Sequence, residues 1–268
     1  MARPTRVSRA LSQNFLADRA TAARLARLTT VPPAGPPTAR GSRTLPLVLE
    51  VGAGNGALTA ELAPRCRELR AYEIDPRLLP ALRARFAGTP HVRVVAGDFL
   101  AARPPRTPFS VAGNVPFSRT AAIVDWCLGA PALTDATLLT QWEYARKRTG
   151  DYGRWTLLTV RTWPRHEWRL LGRVGRRAFR PVPRVEAGIV RIERRRTPLL
   201  DTAGYASWCR LVELGFSGTG GSLHASLRRA HPRRRVDAAF RAARLDPGVL
   251  VGEVAPDQWL YLHDALTS

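Results

Sequence analysis

The amino-acid sequence predicts an α/β fold in which a parallel sheet is flanked by helices and followed by a small all-α C-terminal domain. Apolar strand-like runs alternate with helical stretches from residue 47 to residue 129, a pattern typical of parallel sheets. A glycine-rich turn follows the first of these strands, as it does at the ligand-binding edge of open α/β sheets. Strand-like runs end near Arg196, and the segments beyond it are helical in character.

Each predicted element rests on a local pattern of residues. Residues 47–51 (LVLEV) form a short apolar run typical of a buried strand, and Pro76 suits the first turn of a helix. Five prolines between residues 31 and 46 predict a loop. The predicted strands are residues 47–51, 69–74, 92–96, 109–112, 135–140 and 188–193, and the predicted helices are residues 17–28, 57–66, 76–87, 119–129, 203–216, 222–231, 235–244 and 256–266. We expect one domain over residues 1–196, with a basic arm at 1–10, and a second domain over residues 197–268.

The composition is strongly basic. Arg and Lys number 42 against 21 Asp and Glu, which gives a formal net charge of +21. Such a field attracts polyanions, so nucleic acid is the expected partner, ahead of an anionic membrane surface. Lys147 is the only lysine; a genomic bias explains the choice of arginine over lysine, but it does not explain the basic excess.

The sequence also argues against several classes of protein. No apolar run reaches the length of about 18 residues that a membrane-spanning helix needs, and we expect no secretory signal at the N-terminus. Cys66, Cys127 and Cys209 are far apart and lack the spacing of metal ligands. We therefore expect buried thiols and no metal site. We also expect a monomeric protein in the cytoplasm.

The turn after the first strand has the form of a cofactor loop. It reads Glu50-Val-Gly52-Ala-Gly54-Asn-Gly56, and glycines there permit a tight turn and a close approach of backbone to ligand. A dinucleotide site has the spacing G-x-G-x-x-G, whereas here the third glycine comes one residue early and an acid precedes the first. This form is usual for S-adenosyl-L-methionine enzymes, so Gly52 and Gly54 are assigned to the cofactor; a plain strand-to-helix turn is the alternative.

Acidic residues follow the next two strands. Glu73 ends the second strand, where a carboxylate can accept both ribose hydroxyls. Asp98 follows the third strand, where a carboxylate can accept a hydrogen bond from an adenine amino group. Each acid alone suits a helix cap or a surface charge, but together with the glycine loop they predict a site for S-adenosyl-L-methionine. Ile74 and Phe99, which follow these acids directly, are assigned to the same site.

The tetrapeptide Asn114-Val115-Pro116-Phe117 follows the fourth strand. The amino group of adenine is a poor nucleophile because its lone pair is delocalised into the ring. An Asn oxygen and a nearby backbone carbonyl can accept its N–H groups and aim the lone pair at a methyl donor. Phe117 offers a face for base stacking, worth roughly 1–3 kcal/mol, and Phe179 is either a second face for an extruded base or a buried core residue. A plain Asn-x-Pro turn is the alternative, which the upstream glycine loop disfavours.

These motifs, in this order, resemble those of the ribosomal RNA adenine-N6 methyltransferases. The resemblance covers about residues 8–195 and rests on residues 13–16 (QNFL), the glycine loop, Glu73, Asp98, residues 114–117 (NVPF) and residues 179–185 (FRPVPRV). It implies an S-adenosylmethionine-dependent methyltransferase Rossmann-like fold with seven strands and a helical C-terminal RNA-binding domain. It also implies that Gln13, Asn14 and Leu16 close over the cofactor.

Two branches of this family share the motifs. One comprises the erythromycin-resistance (Erm) methyltransferases, which act on 23S rRNA, and the other the adenine dimethyltransferases of small-subunit (16S) rRNA. Residues 141–147 (QWEYARK) and 153–155 (GRW) resemble the Erm branch, whose members methylate one adenine of the peptidyl-transferase loop and lower the binding of macrolides, lincosamides and streptogramin B. The 16S enzyme and an RNA-binding factor without activity remain the alternatives. Phe117 stands where Tyr is frequent, and Thr120-Ala121 where a pair of hydroxyl residues is usual, so the number of methyl groups transferred stays open.

Basic runs recur along the chain, and any single run is more often a solvated face than a binding site. The expected RNA surface uses phosphate contacts for most of its affinity. In the family layout residues 146–148 lie near the catalytic motif, so Arg146, Lys147 and Arg148 are the first candidates for RNA contact.

Overall fold

The computed structural model describes residues 14–29, 45–218 and 221–267. In these ranges the strands are Phe15–Leu16 (β1), Leu45–Val51 (β2), Cys66–Glu73 (β3), Val92–Ala96 (β4), Phe109–Asn114 (β5), Leu133–Gln141 (β6), His166–Val174 (β7), Phe179–Arg180 (β8) and Ala187–Arg194 (β9). The helices are Arg19–Thr29 (α1), Ala57–Leu62 (α2), Leu79–Phe86 (α3), Thr120–Gly129 (α4), Trp142–Thr149 (α5), Leu157–Thr162 (α6), Thr202–Phe216 (α7), Leu223–Leu227 (α8), Arg233–Ala242 (α9) and Pro256–Thr267 (α10). The predicted α/β class is confirmed. The predicted basic arm at residues 1–10 lies outside the described residues.

The described residues divide into two compact units. The first, which we call the sheet unit, lies within Met1–Ala145 and Leu171–Glu193, and the second, the helical unit, lies within Arg146–Leu170 and Arg194–Ser268. This division differs from the predicted one at residue 196, because residues 146–170 belong with the C-terminal helices. Val160 of α6 is buried in the helical core with Trp208, and the indole Nε1 of Trp208 donates a hydrogen bond to the Arg161 carbonyl at 3.0 Å.

A seven-stranded sheet has the order β4-β3-β2-β5-β6-β9-β7. Strands β4, β3, β2, β5 and β6 run parallel, and β9 is antiparallel to β6. The central strands read as continuous apolar runs because helices cover both faces of a parallel sheet. Val48, Leu49, Val111 and Ala112 are all fully buried there.

Several predicted boundaries shift for local reasons. The helix predicted to reach residue 66 ends at Leu62, because Pro64 lies in a short 3-10 turn from which β3 starts at Cys66. Strand β7 was not predicted, since its sequence HEWRLLGRV interrupts the apolar residues with charged ones. The helix predicted at residues 222–231 is confined to Leu223–Leu227.

A second, two-stranded sheet joins β1 to β8 in antiparallel register. Phe15 pairs with Arg180 and Leu16 with Phe179, and the backbone N–H groups of Ala17 and Asp18 donate to the Ala178 carbonyl. This pairing fixes residues 14–16 against the sheet unit. Among the described helices, none is long and apolar enough to cross a membrane.

Close contact between β2 and β5 gives a test of the sheet. Gly113 pairs with Val51, and a Cβ at Gly113 would lie 2.8 Å from the Val51 carbonyl oxygen and 2.9 Å from its Cβ. We expect Gly113→Ala to force the strands apart and lower the free energy of unfolding by about 1–3 kcal/mol, as measured by chemical denaturation.

The control is Gly129→Ala at the end of α4, where an added Cβ would meet no atom within 4 Å. We expect this variant to match or slightly exceed the wild-type stability, because alanine has the higher helix propensity. Equal stability of the two variants would contradict the close packing of β2 on β5.

Candidate active site

The polar residues predicted for the cofactor site meet at one edge of the sheet. Because β2, β3, β4 and β5 are parallel, their carboxyl ends point to the same side. Gly52 follows β2, Glu73 ends β3, Asp98 follows β4 and Asn114 ends β5. The sequence-predicted residues are therefore brought together, although they span more than sixty positions of the chain.

The glycine loop needs glycine for two physical reasons. Gly52 and Gly54 have φ angles of +67° and +55°, in the left-handed region that other residues rarely adopt. A Cβ on Gly54 would also lie only 3.0 Å from Cδ1 of Phe15. The ring of Phe15 thus covers the loop directly, and β1 forms one wall of the site.

Glu73 connects the glycine loop to the end of β3. Its side chain is 2% exposed. One carboxylate oxygen accepts the Gly54 N–H at 2.7 Å, and the other accepts the Asp75 N–H at 2.7 Å. Since each carboxylate oxygen can accept two hydrogen bonds, Glu73 keeps acceptor capacity for ligand hydroxyls while its own position is fixed by backbone donors.

Asp98 is held by two hydrogen bonds within the protein. Its Oδ1 accepts the Leu100 N–H at 3.0 Å and so caps a 3-10 turn at Phe99–Ala101. Its Oδ2 accepts a hydrogen bond from Arg119 Nη2 at 2.6 Å. The capping role considered from the sequence is therefore present, and the same carboxylate also lines a pocket beside Tyr72 and Phe99.

Aromatic side chains form the floor of that pocket. The rings of Tyr72 and Phe99 meet edge to face with centroids 5.4 Å apart, and Trp126 packs behind Phe99 at 4.4 Å. Ile74 is 42% exposed at the pocket mouth. A planar ring bound in this pocket would contact these apolar surfaces and the Asp98 carboxylate.

The amide of Asn114 has a fixed orientation. Its Nδ2 donates to the Asn14 carbonyl at 2.7 Å, which leaves Oδ1 as the acceptor available to a ligand. The next residue continues the sheet, because the Val115 N–H donates to the Leu139 carbonyl at 3.1 Å. Asn114 is thus held both by the end of β5 and by the segment before β1.

The loop after Asn114 turns tightly into α4, and the nearby backbone carbonyl expected as a second acceptor stays a prediction. The Pro116 carbonyl accepts the Arg119 N–H at 2.8 Å and faces the Thr120 hydroxyl at 3.4 Å. These bonds close the 3-10 turn Phe117–Arg119 that leads into α4. Phe117 is half-buried on this turn and lines a pocket with Asn14, Glu73 and Asn114.

The two pockets form a continuous groove. Gly52, Ile74 and Pro116 line both of them, so the aromatic pocket at Asp98 opens towards Glu73 and Asn114. A ligand extended along this groove would meet the Asp98 carboxylate in the aromatic pocket, and then the Glu73 carboxylate and Gly54 in the neighbouring pocket. The residues present therefore fit the adenine, the ribose and the amino-acid part of S-adenosyl-L-methionine in that order.

Glu50 lies beneath this groove and does not line its two main pockets. It is fully buried, and the Thr59 hydroxyl donates to its Oε2 at 2.7 Å. Burial raises the pKa of Glu50 to about 7, against the opposing effect of the Thr59 hydrogen bond. The acid that opens the motif therefore supports the turn from β2 to α2.

Phe179 does not lie where a second stacking face was predicted. Its side chain is 0% exposed and belongs to the core of the sheet unit, with Leu16 and Ile189. Its backbone pairs with Leu16 in the β1–β8 sheet. The core alternative considered from the sequence is the one that the structure shows, because the apolar ring gains more from burial than from an exposed position.

The three residues expected to close over the cofactor, Gln13, Asn14 and Leu16, do not share one environment. Asn14 lines the groove, whereas Leu16 is mostly buried and borders a small adjoining pocket at the glycine loop. Gln13 lies outside the described residues. Phe15, which separates Asn14 from Leu16, was not predicted, although its place over Gly54 makes it part of the wall.

The three candidate RNA-binding residues lie in the helical unit. Arg146 stacks on the Tyr152 ring at 3.5 Å from its centroid and pairs with Asp151. Arg148 donates to the Thr156 hydroxyl at 2.9 Å. Lys147 is exposed, so its ammonium group is accessible to solvent. Its contact with RNA stays a prediction. Among the described residues, no cluster of His, Cys, Asp and Glu suits a metal ion.

Comparisons with known proteins identify chains that are similar over most of their length. The family model for ribosomal RNA adenine dimethylase matches residues 5–268. An rRNA adenine N-6-methyltransferase of Streptomyces fradiae is 65% identical over 97% of this chain and 79% of its own length. The mycinamicin-resistance protein MyrB of Micromonospora griseorubida is 39% identical over 94% of this chain and 77% of its own. The crystal structure of the 23S rRNA methyltransferase ErmE is similar with a TM-score of 0.88 and 49% identity, over 95% of this chain and all of that one.

Proposed function

The chain belongs to the ribosomal RNA adenine dimethylase family, and we propose that it methylates N6 of one adenine in 23S rRNA. S-adenosyl-L-methionine is the proposed methyl donor. The modified adenine is proposed to lie in the peptidyl-transferase loop, so that methylation confers resistance to macrolides, lincosamides and streptogramin B. We further propose that the protein acts as a monomer in the cytoplasm.

The observation that carries the proposal is the oriented amide of Asn114. Its Nδ2 is held by the Asn14 carbonyl, so its Oδ1 can accept one N–H of an incoming amino group. An acceptor at that place positions the amino nitrogen and favours the geometry in which its lone pair faces a methyl donor. Phe117, half-buried beside it, offers a face on which the base can stack.

The groove residues would hold the cofactor. Glu73 has acceptor capacity for the ribose hydroxyls, Asp98 for the adenine amino group, and the loop at Gly52 and Gly54 lets the amino-acid part approach the backbone closely. When bound, S-adenosyl-L-methionine supplies an electrophilic methyl group. The ring of Phe15 over Gly54 helps to exclude water from this end of the groove.

The RNA must present the adenine outside its helix or loop. Extrusion of a base costs a few kcal/mol, which the stacking face of Phe117 and phosphate contacts elsewhere offset. The net charge of +21 supports such contacts. Lys147, as an exposed cation, is the first of the three predicted residues that we propose for contact with phosphate. For Phe179 we propose a supporting role through β1 in place of base stacking.

Methyl-transfer assays test the substrate. Radiolabelled methyl from S-adenosyl-L-methionine is followed into protein-free 23S rRNA and, in parallel, into 30S subunits. We expect label in 23S rRNA, located at N6 of one adenine. Label only in 30S subunits would move the protein to the 16S rRNA branch, and no label in either RNA would favour the RNA-binding factor without activity.

The Asn114→Ala variant tests the mechanism. Because it removes the acceptor oxygen, we expect turnover on the wild-type substrate to fall by roughly 10²–10³-fold, the size of effect seen when one preorganised polar group is lost from an active site. Thermal unfolding and RNA affinity should stay close to wild type. Normal turnover in this variant would contradict the assigned role of Asn114.

A further inference from the structure

The ion pair between Arg119 and Asp98 has no part in the chemistry described above. Arg119 Nη2 lies 2.6 Å from Asp98 Oδ2, and the two side chains are 43% and 36% exposed. Asp98 Oδ1 is already held by the Leu100 N–H. The guanidinium therefore engages the carboxylate oxygen that the turn at Phe99–Ala101 leaves available.

Arg119 belongs to the same loop as the stacking face for the target base. Its backbone N–H donates to the Pro116 carbonyl at 2.8 Å, which closes the turn that carries Phe117. The side chain of Arg119 thus reaches from this turn to a residue at the end of another strand, β4. Holding the guanidinium on Asp98 fixes the turn relative to the cofactor groove.

A ligand in the aromatic pocket changes the surroundings of this pair. Arg119 and Asp98 both line the pocket formed by Tyr72, Phe99 and Ile123. An exposed ion pair contributes little because water screens it. A planar ring that fills the pocket displaces this water, and the attraction between the two charges grows as the local dielectric constant falls.

We propose that Arg119 is a positioning residue that couples occupancy of the cofactor's adenine pocket to the placement of the Phe117 turn. The inference rests on the proposed function, because it assigns this pocket to the adenine of S-adenosyl-L-methionine. Cofactor binding strengthens the Arg119–Asp98 pair and so fixes the turn that receives the target base. By thermodynamic reciprocity, bound RNA tightens cofactor binding by the same factor.

The test measures binding of S-adenosyl-L-homocysteine in the absence and presence of saturating protein-free 23S rRNA. In Arg119→Met we expect affinity to fall by roughly three- to tenfold and the tightening by RNA to decrease towards none. Arg119→Lys keeps a cation and should recover part of both. The denaturation midpoint should be unchanged in both variants, since the pair is exposed.

The matched control is Arg93→Met, which replaces an exposed arginine on β4 outside the groove. It should bind the ligand and respond to RNA as the wild type does. Wild-type affinity and wild-type RNA coupling in Arg119→Met would overturn the inference while leaving the proposed function intact. Tighter ligand binding in that variant would also overturn it, because Arg119 would then compete for Asp98. A wild-type protein that binds no ligand would overturn the proposed function as well.

Discussion

The candidate site depends on the hydrogen bond from Asn114 Nδ2 to the Asn14 carbonyl, at 2.7 Å. A primary amide carries both a donor and an acceptor, so either group can face a ligand until one of them is held by the protein. The Asn14 carbonyl fixes the donor end and thereby presents Oδ1 to the groove. It can do so because β1 is held in register by β8, and β8 is anchored by the buried ring of Phe179. A core residue far along the chain thus helps to hold the segment that orients the Asn114 amide.

Hydrogen bonds within the protein also orient the side chains on the cofactor side of the groove. Both oxygens of Glu73 are fixed by backbone N–H groups, one from Gly54 in the glycine loop and one from Asp75. Asp98 is fixed by a backbone N–H and by Arg119. Acceptors that are already oriented need little rearrangement when a ligand binds, which reduces the entropic cost of binding. The groove is therefore defined by hydrogen bonds within the protein itself.

The sequence was sufficient to predict the fold class, the glycine loop and the residues at the strand ends, because each leaves a local signal. Gly52, Glu73, Asp98 and Asn114 each follow or end an apolar run, and parallel strands must bring them to one edge. Contacts between distant segments left no such signal. The burial of Phe179, the ring of Phe15 over Gly54 and the pairing of Arg119 with Asp98 all depend on tertiary packing. The inclusion of residues 146–170 in the helical unit was missed for the same reason. Strand β7 was missed because charged residues interrupt its apolar ones. Arg146 and Arg148 were predicted from the sequence to contact RNA. In the structure, the Arg146 guanidinium stacks on Tyr152 and Arg148 donates a hydrogen bond to Thr156.

We propose that Asn114 meets the target base through Oδ1 while Nδ2 stays on the Asn14 carbonyl. The most direct measurement is a crystal structure of the protein with S-adenosyl-L-homocysteine and an RNA fragment that carries the target adenine. We expect N6 of the base to lie within hydrogen-bond distance of Asn114 Oδ1, with the base stacked on Phe117 and the bond to Asn14 intact. An extruded base that contacts Nδ2, or a complex in which Asn114 has left the Asn14 carbonyl, would contradict it.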